Sequence, residues 1–287
     1  MGGTLVLIGG SGSLGSAILQ HQTLLGIFGI DRIRVISRDE VKQDQLEKNY
    51  QGFIELQCFL GDVRNRERME FALNGADYVI HMAALKFIER FELDVDEGMT
   101  TNVFGTRNVM KACLLHKPKS AIFVSTDKSF QPINAYGVSK LAAQHLWQWA
   151  NTFQKKTKFG TCCYGNVFGS RGSVIEKWHK LAAEGKPLPL THAEMTRFFI
   201  TKKDAARFVI DSLFNNKINP MIPLMKSTDM YRMARLFNEA YQSKGGVEII
   251  GLRDKREKLH EDLGEINSFE CDRFTDDELR KMIEESK

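Results

Sequence analysis

The sequence predicts an α/β fold in which helices cover both faces of a parallel sheet, followed by a smaller C-terminal α/β lobe. In the first half of the chain, short apolar runs that suit buried strands alternate with segments of helical periodicity. This alternation is typical of βαβ units. The 287 residues are 43% hydrophobic, which is enough to bury a large core and excludes a disordered chain.

The first predicted strand, 4–8, is a continuous apolar run that a glycine-rich turn connects to a helix. Further strands are predicted at 32–37, 54–59, 78–82 and 121–125. Helices are predicted after the glycine-rich turn and at 41–50, 66–74, 95–115 and 134–153. Right-handed crossovers would place these strands in one doubly wound sheet of the Rossmann type.

Beyond residue 165 the alternation is less regular. Strands are predicted near 198–200, 222–224 and 247–250, and helices near 174–183, 203–214 and 230–241. We therefore expect a first domain over 1–165 and a smaller lobe over 166–287, with some strands and helices crossing between the two.

The charge of the chain indicates what kind of molecule it binds. The formal net charge is +4, and the stretch 253–287 is acidic, with 8 basic and 12 acidic residues, so the rest of the chain is basic. A basic body suits an anionic small molecule, whereas nucleic-acid binding usually leaves a stronger basic signature.

Five cysteines without C-x-x-C spacing fit neither a disulfide framework nor a zinc site, and no apolar run is long enough to span a bilayer. We expect a cytoplasmic protein without a metal ion, a nucleic-acid partner or a membrane segment.

Glycines recur at three-residue intervals directly after the first strand, at Gly9, Gly12 and Gly15. Glycine permits a tight turn and lets the backbone approach a pyrophosphate, whose charge would be met by N–H groups at the start of the helix. Alone, such a motif can be an ordinary glycine-rich turn that connects a strand to a helix. In the context of the predicted strand and helix that flank it here, it predicts a dinucleotide site.

The end of the second strand distinguishes between the two dinucleotides. NAD sites usually place an acidic residue there, whereas this chain has Ser37 and Arg38, with Lys42 one helical turn further on. The two basic side chains could hold a 2′-phosphate, so NADP is predicted, although the acidic residues after Arg38 leave NAD open. Asp62 and Val63, after the third strand, are placed to meet the adenine ring.

Tyr136 and Lys140 share one face near the start of a predicted helix. The lysine ammonium would lower the pKa of the phenol toward neutrality, so that Tyr136 could take a proton from a substrate hydroxyl while a hydride passes to the nicotinamide. Thr126 ends the preceding strand, at the edge where such sheets bind ligands. A lone Y-x-x-x-K is common by chance, but together with the glycine-rich turn and Thr126 it predicts a catalytic site.

With these motifs the chain resembles the extended short-chain dehydrogenase/reductases. Within them it is similar to the inverting UDP-N-acetylglucosamine 4,6-dehydratases of pseudaminic acid and related deoxysugar pathways. The matching stretches are 37–40, 61–64, 83–86, 101–103, 125–128, 132–137, 164–167, 169–174 and 195–198. The resemblance implies a homo-oligomeric enzyme that binds NADP tightly and acts on UDP-GlcNAc or a close nucleotide sugar.

The resemblance also implies a catalytic set, namely Thr126, Asp127, Lys128, Tyr136 and Lys140. Tyr136 would take the C4 hydroxyl proton, and Lys128 would remove the C5 proton from the resulting ketone. Asp127, kept protonated by burial, would donate to the departing C6 hydroxyl. Hydride would return to C6, and C5 would be reprotonated from the opposite face, giving UDP-2-acetamido-2,6-dideoxy-β-L-arabino-hex-4-ulose. The adjacent acid and lysine could otherwise be an exposed ion pair in a loop.

The remaining site residues follow from the same resemblance. Cofactor contacts are implied for Gly9, Ser11, Gly12, Ser13, Leu14, Gly15, Ser37, Arg38, Lys42, Asp62, Val63, Ala83, Ala84, Lys86, Asn102, Tyr136, Lys140 and Val167. Substrate contacts are implied for Lys86, Asn166, Arg171, Gly172, Ser173, Arg197, Arg253 and Glu257, with Arg197 on the pyrophosphate. Arg256 competes with Arg253 for a phosphate role. His81 is interpreted as a packed core residue.

Three alternatives stay open. A retaining UDP-sugar 4,6-dehydratase would use the same fold, but many such relatives are membrane-anchored and carry Met where this chain has Tyr136. A 4-epimerase would not need Asp127 and Lys128. An NADP-binding sensor without catalysis would usually lack the Tyr136 and Lys140 pair, which this chain keeps.

Overall fold

A computed structural model describes residues 2–215, 220–252 and 257–287. It divides into two compact units: unit 1 comprises Met1–Cys163 and Lys203–Met221, and unit 2 comprises Tyr164–Lys202 and Ile222–Lys287. The division after Cys163 lies close to the predicted boundary at 165, and a later segment returns to unit 1.

Unit 1 contains one six-stranded parallel sheet in the order β3-β2-β1-β4-β5-β6. Its strands are β1 Gly3–Ile8, β2 Ile30–Ser37, β3 Glu55–Leu60, β4 Tyr78–His81, β5 Ser120–Val124 and β6 Lys158–Cys162. Its helices are α1 Ser13–Leu19, α2 Gln22–Ile27, α3 Glu40–Asn49, α4 Arg66–Leu73, α5 Ile88–Leu93, α6 Val95–Met99, α7 Gly105–His116 and α8 Ala135–Trp149. The strand order reverses between β1 and β4, which is the point where Rossmann-type sheets bind dinucleotides. The predicted fold class is confirmed.

The apolar strands explain why helices cover both faces of this sheet. Side chains alternate along β1: Val6 and Ile8 join the core that includes Trp147 of α8, while Leu5 and Leu7 are buried on the other side. A strand with no polar face requires cover on both sides.

Unit 1 departs from the predicted pattern in two places. The predicted helical segment 95–115 is helical throughout, but a π-helical turn, Thr100–Phe104, separates α6 from α7. The sixth strand, β6, was not predicted, because Lys158, Gly160 and Thr161 interrupt its apolar pattern. Pairing with β5 along its length nevertheless completes the sheet.

Unit 2 has smaller sheets around its own core. Its strands are β7 Asn166–Val167, β8 Leu188–Leu190, β9 Thr196–Ile200, β10 Lys226–Asp229, β11 Val247–Ile249, β12 Asp262–Leu263 and β13 Ile266–Asn267. Its helices are α9 Val174–Ala183, α11 Met230–Ala240 and α12 Asp276–Glu285, while α10 Lys202–Phe214 begins the segment that returns to unit 1. Trp178 and Phe237 are fully buried in the unit 2 core.

The predicted strand at 222–224 is wrong. Met221 forms an isolated bridge with Cys162, and regular pairing resumes only in β10. Pro223 has no N–H to donate to a neighbouring strand, and Leu224 is 93% exposed.

Candidate active site

The glycine-rich turn lies where β1 and β4 end. Gly9 has a φ of +84°, and a Cβ there would lie 2.8 Å from the backbone nitrogen of Ala83. A Cβ at Gly15 would overlap the carbonyl oxygen of Gly10. No described side chain caps the N-terminus of α1 at Gly12. The turn therefore presents bare backbone to any ligand, which fits a pyrophosphate. Ser11 is buried, and Ser13 and Leu14 are half-buried in the first turn of α1.

The two basic residues predicted to hold a 2′-phosphate, Arg38 and Lys42, each form an ion pair with an acidic residue. Arg38 Nη1 lies 3.6 Å from Asp62 Oδ2, and Lys42 pairs with Asp39, which also caps α3. Both basic side chains are nearly half exposed, so a phosphate could compete for them. Burial tends to raise the pKa of Asp62, but hydrogen bonds from Arg64 outweigh it and the pKa is lowered. Asp62 is thus held as a carboxylate.

A buried glutamine missed by the sequence analysis organises this strand end. Gln43 Nε2 donates to Ser37 Oγ at 2.9 Å and to the carbonyl oxygen of Phe59 at 2.9 Å, so it ties β2 to β3. Its burial, at 6% exposure, separates it from the exposed polar residues of α3. In sequence it looks like any other surface position of a polar helix.

Asn102 holds the loop after β4. Its side chain accepts from the N–H of Leu85 at 2.8 Å and donates to the carbonyl of Leu85 at 3.0 Å. The same amide donates to Ser139 Oγ, whose hydroxyl donates to the carbonyl of Tyr136. The π-helical turn that carries Asn102 thereby links the loop with Ala83, Ala84 and Lys86 to α8. Such turns occur frequently at functional sites. Val63, next to Asp62, is held by Asn108, which donates to its carbonyl at 3.0 Å.

Three catalytic candidates meet just after β5. Asp127 begins a short 3₁₀ turn, Asp127–Ser129, and is fully buried. Its Oδ1 accepts from Thr126 Oγ1 at 2.8 Å and from Lys128 Nζ at 3.0 Å. No described residue hydrogen bonds to its Oδ2. An exposed ion pair is excluded, because the Lys128 side chain is 19% exposed and that of Asp127 is 0% exposed.

Tyr136 joins this group from the first turn of α8, where Asn134 caps the helix by accepting from the N–H of Gly137 at 2.8 Å. Burial raises the pKa of the Tyr136 phenol to about 12, although Lys128 and a hydrogen bond with Thr126 act to lower it. The prediction that the pKa of the Tyr136 phenol is lowered toward neutrality is therefore wrong for the protein without ligands. Desolvation outweighs the nearby positive charge.

Lys140 does not have the expected effect on the phenol. Its Nζ donates to the carbonyl of Val124 at 2.6 Å and lies 4.1 Å from the ring centre of Phe123. Burial lowers the pKa of Lys140 to about 7. The cation that acts on Tyr136 is instead Lys128.

His81 is confirmed as a packed core residue. It is completely buried beside Phe123 and Trp147, and its Nε2 lies 2.9 Å from Thr106 Oγ1. Burial, with Lys140 adding to it, lowers the pKa of His81 to about 3, so the ring is neutral.

Arg197 in unit 2 has its donors in use within that unit. Nη1 donates to the carbonyls of Thr196 and Leu259, and Nη2 donates to the carbonyl of Lys258 and to Glu257 Oε1. Its side chain is 7% exposed. These bonds tie β9 to the segment 257–261. A direct bond to pyrophosphate would require Arg197 to exchange one of these partners.

The other predicted substrate residues of unit 2 lie in strands, turns and caps. Asn166 and Val167 form β7, and Arg171 and Gly172 are exposed, with Gly172 at a φ of +70°. Ser173 caps α9 by accepting from the N–H of Glu176. Arg253 and its competitor Arg256 lie outside the described residues.

Gly137 is the last residue of the matching stretch 132–137, and the structure gives it a specific role. A Cβ at this position would overlap the carbonyl oxygen of Lys128. Glycine therefore allows the 3₁₀ turn to pack directly against the start of α8. This contact brings the turn that carries Lys128 against the helix start that carries Tyr136.

The described residues contain no group of three or more His, Cys, Asp or Glu side chains that could hold a metal ion. None of their helices is long and apolar enough to cross a membrane. A cavity of about 450 Å³ lies within unit 2, lined by Ala193, Glu194, Thr196, Asp229, Tyr231, His260, Phe269 and Arg273. None of the predicted site residues lines it.

Comparison with known proteins identifies the family of the chain. The chain is 39% identical over 264 residues to a UDP-N-acetylglucosamine 4,6-dehydratase (inverting) of Campylobacter jejuni, covering 90% of this chain and 76% of the relative. It is 36% identical to a UDP-glucose 4-epimerase of Rickettsia massiliae, covering 91% and 77%. The crystal structure of Pen from Bacillus thuringiensis superposes with a TM-score of 0.83 at 31% identity, covering 90% and 80%. The model of the polysaccharide biosynthesis protein family matches residues 5–280, and the chain belongs to that family.

Proposed function

We propose that the protein is a UDP-GlcNAc 4,6-dehydratase that inverts C5. The observation that carries this proposal is the cluster of Thr126, Asp127 and Lys128, in which a buried acid and a lysine act on the phenol of Tyr136, the proposed base at C4. Elimination of water needs both an acid and a base besides the group that accepts the C4 hydroxyl proton. The similarity to the Campylobacter enzyme supports the same reaction.

The proposed cofactor is NADP, held by the glycine-rich turn, by the loop after β4 that Asn102 fixes, and by Tyr136 and Lys140. When bound, its nicotinamide takes a hydride from C4 and returns it to C6, so that no NADP is consumed. Arg38 and Lys42 would exchange Asp62 and Asp39 for the 2′-phosphate, since an arginine fork and a phosphate make strong charge-assisted bonds.

The residues of the cluster divide the proton transfers between them. Tyr136 receives the C4 hydroxyl proton, Lys128 removes the proton from C5, and Asp127 protonates the C6 hydroxyl so that it leaves as water. C5 is then reprotonated from the opposite face, which inverts its configuration. Asp127 Oδ2, which no described residue hydrogen bonds, suits an acid that meets a ligand. The expected product is the L-arabino 4-keto-6-deoxy nucleotide sugar.

Further parts of the proposal rest on the family resemblance. Substrate contacts are proposed for Lys86, Asn166, Arg171, Gly172, Ser173, Arg197, Arg253 and Glu257. A homo-oligomer and a place at the start of a pseudaminic acid type pathway are proposed on the same ground.

A second candidate function is a UDP-sugar 4-epimerase. The observation that favours it is the 36% identity to the Rickettsia protein of that name. An epimerase oxidises and re-reduces C4 and eliminates nothing. It therefore gives no task to the buried Asp127 and Lys128 pair.

The test is to incubate the purified protein with UDP-GlcNAc in deuterated water and to follow the sugar by NMR. The proposal predicts a new C6 methyl group, deuterium at C5 and inverted configuration at C5. A product that keeps its C6 hydroxyl and changes only at C4 would establish the epimerase instead. A dehydrated product with the original C5 configuration would contradict inversion.

A further inference from the structure

Glu92 of α5 contacts the start of the helix that carries Tyr136. Its Oε1 accepts a hydrogen bond from the N–H of Ala135 at 2.6 Å. Ala135 is the first residue of α8 and directly precedes Tyr136. The first N–H groups of a helix have no partner within that helix, and a negative charge at that end is favourable. A carboxyl group from a neighbouring helix therefore satisfies one of these N–H groups beside the tyrosine.

The residue before Glu92 packs against the tyrosine itself. The ring of Phe91 meets the ring of Tyr136 edge-on, with ring centres 6.0 Å apart. Phe91 is 2% exposed, and a Cβ at Gly98 of α6 would overlap its ring, so the ring lies tightly against α6. Two successive residues of α5 thus contact two successive residues of α8, one through a ring and one through a hydrogen bond.

The backbone around Tyr136 is restrained on both sides. On one side its carbonyl accepts from Ser139, whose hydroxyl accepts from Asn102. On the other side the N–H of Ala135 is held by Glu92. Both restraints originate in the segment between β4 and α7, which also carries the loop predicted to meet the cofactor.

Resting on the proposed function, we propose that Glu92 is a positioning residue that holds the Tyr136 phenol at the C4 hydroxyl by fixing the first turn of α8. A base must lie within hydrogen-bond reach of the proton it takes, so a displaced phenol slows the chemical step. Glu92 itself exchanges no proton with the substrate. Its role requires an acceptor oxygen at this place and no negative charge.

Two substitutions separate the acceptor oxygen from the charge. Glu92→Gln keeps an oxygen that can accept from Ala135, whereas Glu92→Ala removes it. The matched control is Glu278→Ala in unit 2, because Glu278 Oε2 accepts from the N–H of Thr275 at 2.8 Å where α12 begins and its Oε1 also pairs with Lys226. All variants are tested as the NADP-loaded enzyme with UDP-GlcNAc.

We expect Glu92→Ala to lower kcat about 10-fold or more with little change in KM, since misplacing a reacting group by about 1 Å can cost about 100-fold. Glu92→Gln should recover most of the wild-type kcat. Glu278→Ala should keep that kcat even if its Tm falls as far as that of Glu92→Ala. An equal kcat in Glu92→Ala and Glu92→Gln, an effect confined to KM, or an equal loss of kcat in Glu278→Ala would overturn the positioning role.

A double-mutant cycle with Tyr136→Phe tests whether Glu92 acts through the tyrosine. Oxidation at C4 is followed in a single turnover as the absorbance of the reduced nicotinamide. In the Tyr136→Phe protein, Glu92→Ala should cause no further loss of rate, because the group that Glu92 positions is already absent. The same fold loss in both backgrounds would show that Glu92 acts elsewhere.

Backbone hydrogen exchange tests the contact without any substrate. The segment 133–139 should exchange faster in Glu92→Ala than in Glu92→Gln, and Glu278→Ala should leave it unchanged. Equal exchange of this segment in the two Glu92 variants would overturn the proposal, whether or not UDP-GlcNAc is the substrate. Failure of the wild type to convert UDP-GlcNAc, with the difference in exchange present, would instead contradict the proposed function.

Discussion

Lys128 is the residue whose replacement separates elimination from cofactor binding. Its Nζ contacts Asp127 within the buried cluster, which lies away from the glycine-rich turn in sequence. We predict that Lys128→Ala lowers formation of the dehydrated product by at least about 100-fold, because no other base is assigned to C5. Affinity for NADP, measured by calorimetry, should change little.

Lys42→Ala is the matched control for this experiment. Lys42 pairs with Asp39 beside the predicted 2′-phosphate position and has no part in the buried cluster. Lys42→Ala should weaken the binding of NADP more than the binding of NAD. It should leave the conversion of the sugar unaltered at saturating cofactor. Normal turnover in Lys128→Ala, or weak NADP binding without loss of activity, would contradict the assigned role.

Lys140 should impose a pH dependence on stability. Its folded pKa is lowered to about 7 from 10.5, so between these values the unfolded chain binds more protons and stability rises with pH. Relative to Lys140→Met, the cofactor-free wild type should gain on the order of 4 kcal/mol between pH 7 and pH 10. Urea unfolding of both proteins at the two pH values measures this difference. A difference that does not vary with pH would show that Lys140 is not buried in this way.

The residues of the catalytic cluster were predictable from sequence, but their electrostatics were not. The motif Y-x-x-x-K places Tyr136 and Lys140 on one helical face, and the triplet from Thr126 follows a strand. Which cation acts on the phenol depends on where each amine points. Lys140 Nζ binds the carbonyl of Val124, a tertiary contact that spacing along a helix does not reveal.

At the scale of elements, Gly137 sets how closely the 3₁₀ turn packs against α8. Alanine is a better helix former by about 1 kcal/mol, yet its Cβ would overlap the carbonyl oxygen of Lys128. We predict that Gly137→Ala lowers the free energy of unfolding by about 1–3 kcal/mol and reduces kcat, because Lys128 and Tyr136 are displaced.

The control for Gly137 is Gly26→Ala in α2, where the new Cβ would lie an ordinary 3.5 Å from the Phe53 ring. This variant should be slightly stabilised by its helix propensity. Thermal unfolding of both variants provides the measurement. A Gly137→Ala protein as stable and active as Gly26→Ala would show that the close approach does not matter.

Two strands differ between prediction and structure for opposite reasons. Strand β6 pairs with β5 although its polar residues and glycine break the apolar pattern, so the sheet and not local preference determines it. The predicted strand at 222–224 shows the reverse, since its apolar residues surround Pro223, which cannot donate a hydrogen bond. Regular apolar runs such as β1 and β5 were predictable because they are buried on both faces.

At the scale of the whole molecule, Trp149 provides a test of the expected self-association. It is 51% exposed at the end of α8 and packs edge-on against Phe153, which is 57% exposed, with ring centres 4.3 Å apart. We predict that the wild type sediments as a homo-oligomer and that Trp149→Glu lowers its mass, because a charge in an apolar interface is costly.

Leu224→Glu, at a side chain 93% exposed in unit 2, is the control and should leave the sedimenting mass unchanged. A monomeric wild type would contradict the oligomer that the family resemblance implies. An oligomer insensitive to Trp149→Glu would remove α8 from its interface.

The central claim is that one hydride moves from C4 to C6 of the same sugar, and a single labelling experiment tests it. The protein is given UDP-GlcNAc carrying deuterium at C4, and the product is examined by NMR and mass spectrometry. We predict that the deuterium is retained in a C6 CH₂D group next to a C4 ketone. Deuterium back at C4 of a sugar that keeps its C6 hydroxyl, or loss of the label to solvent, would contradict the account.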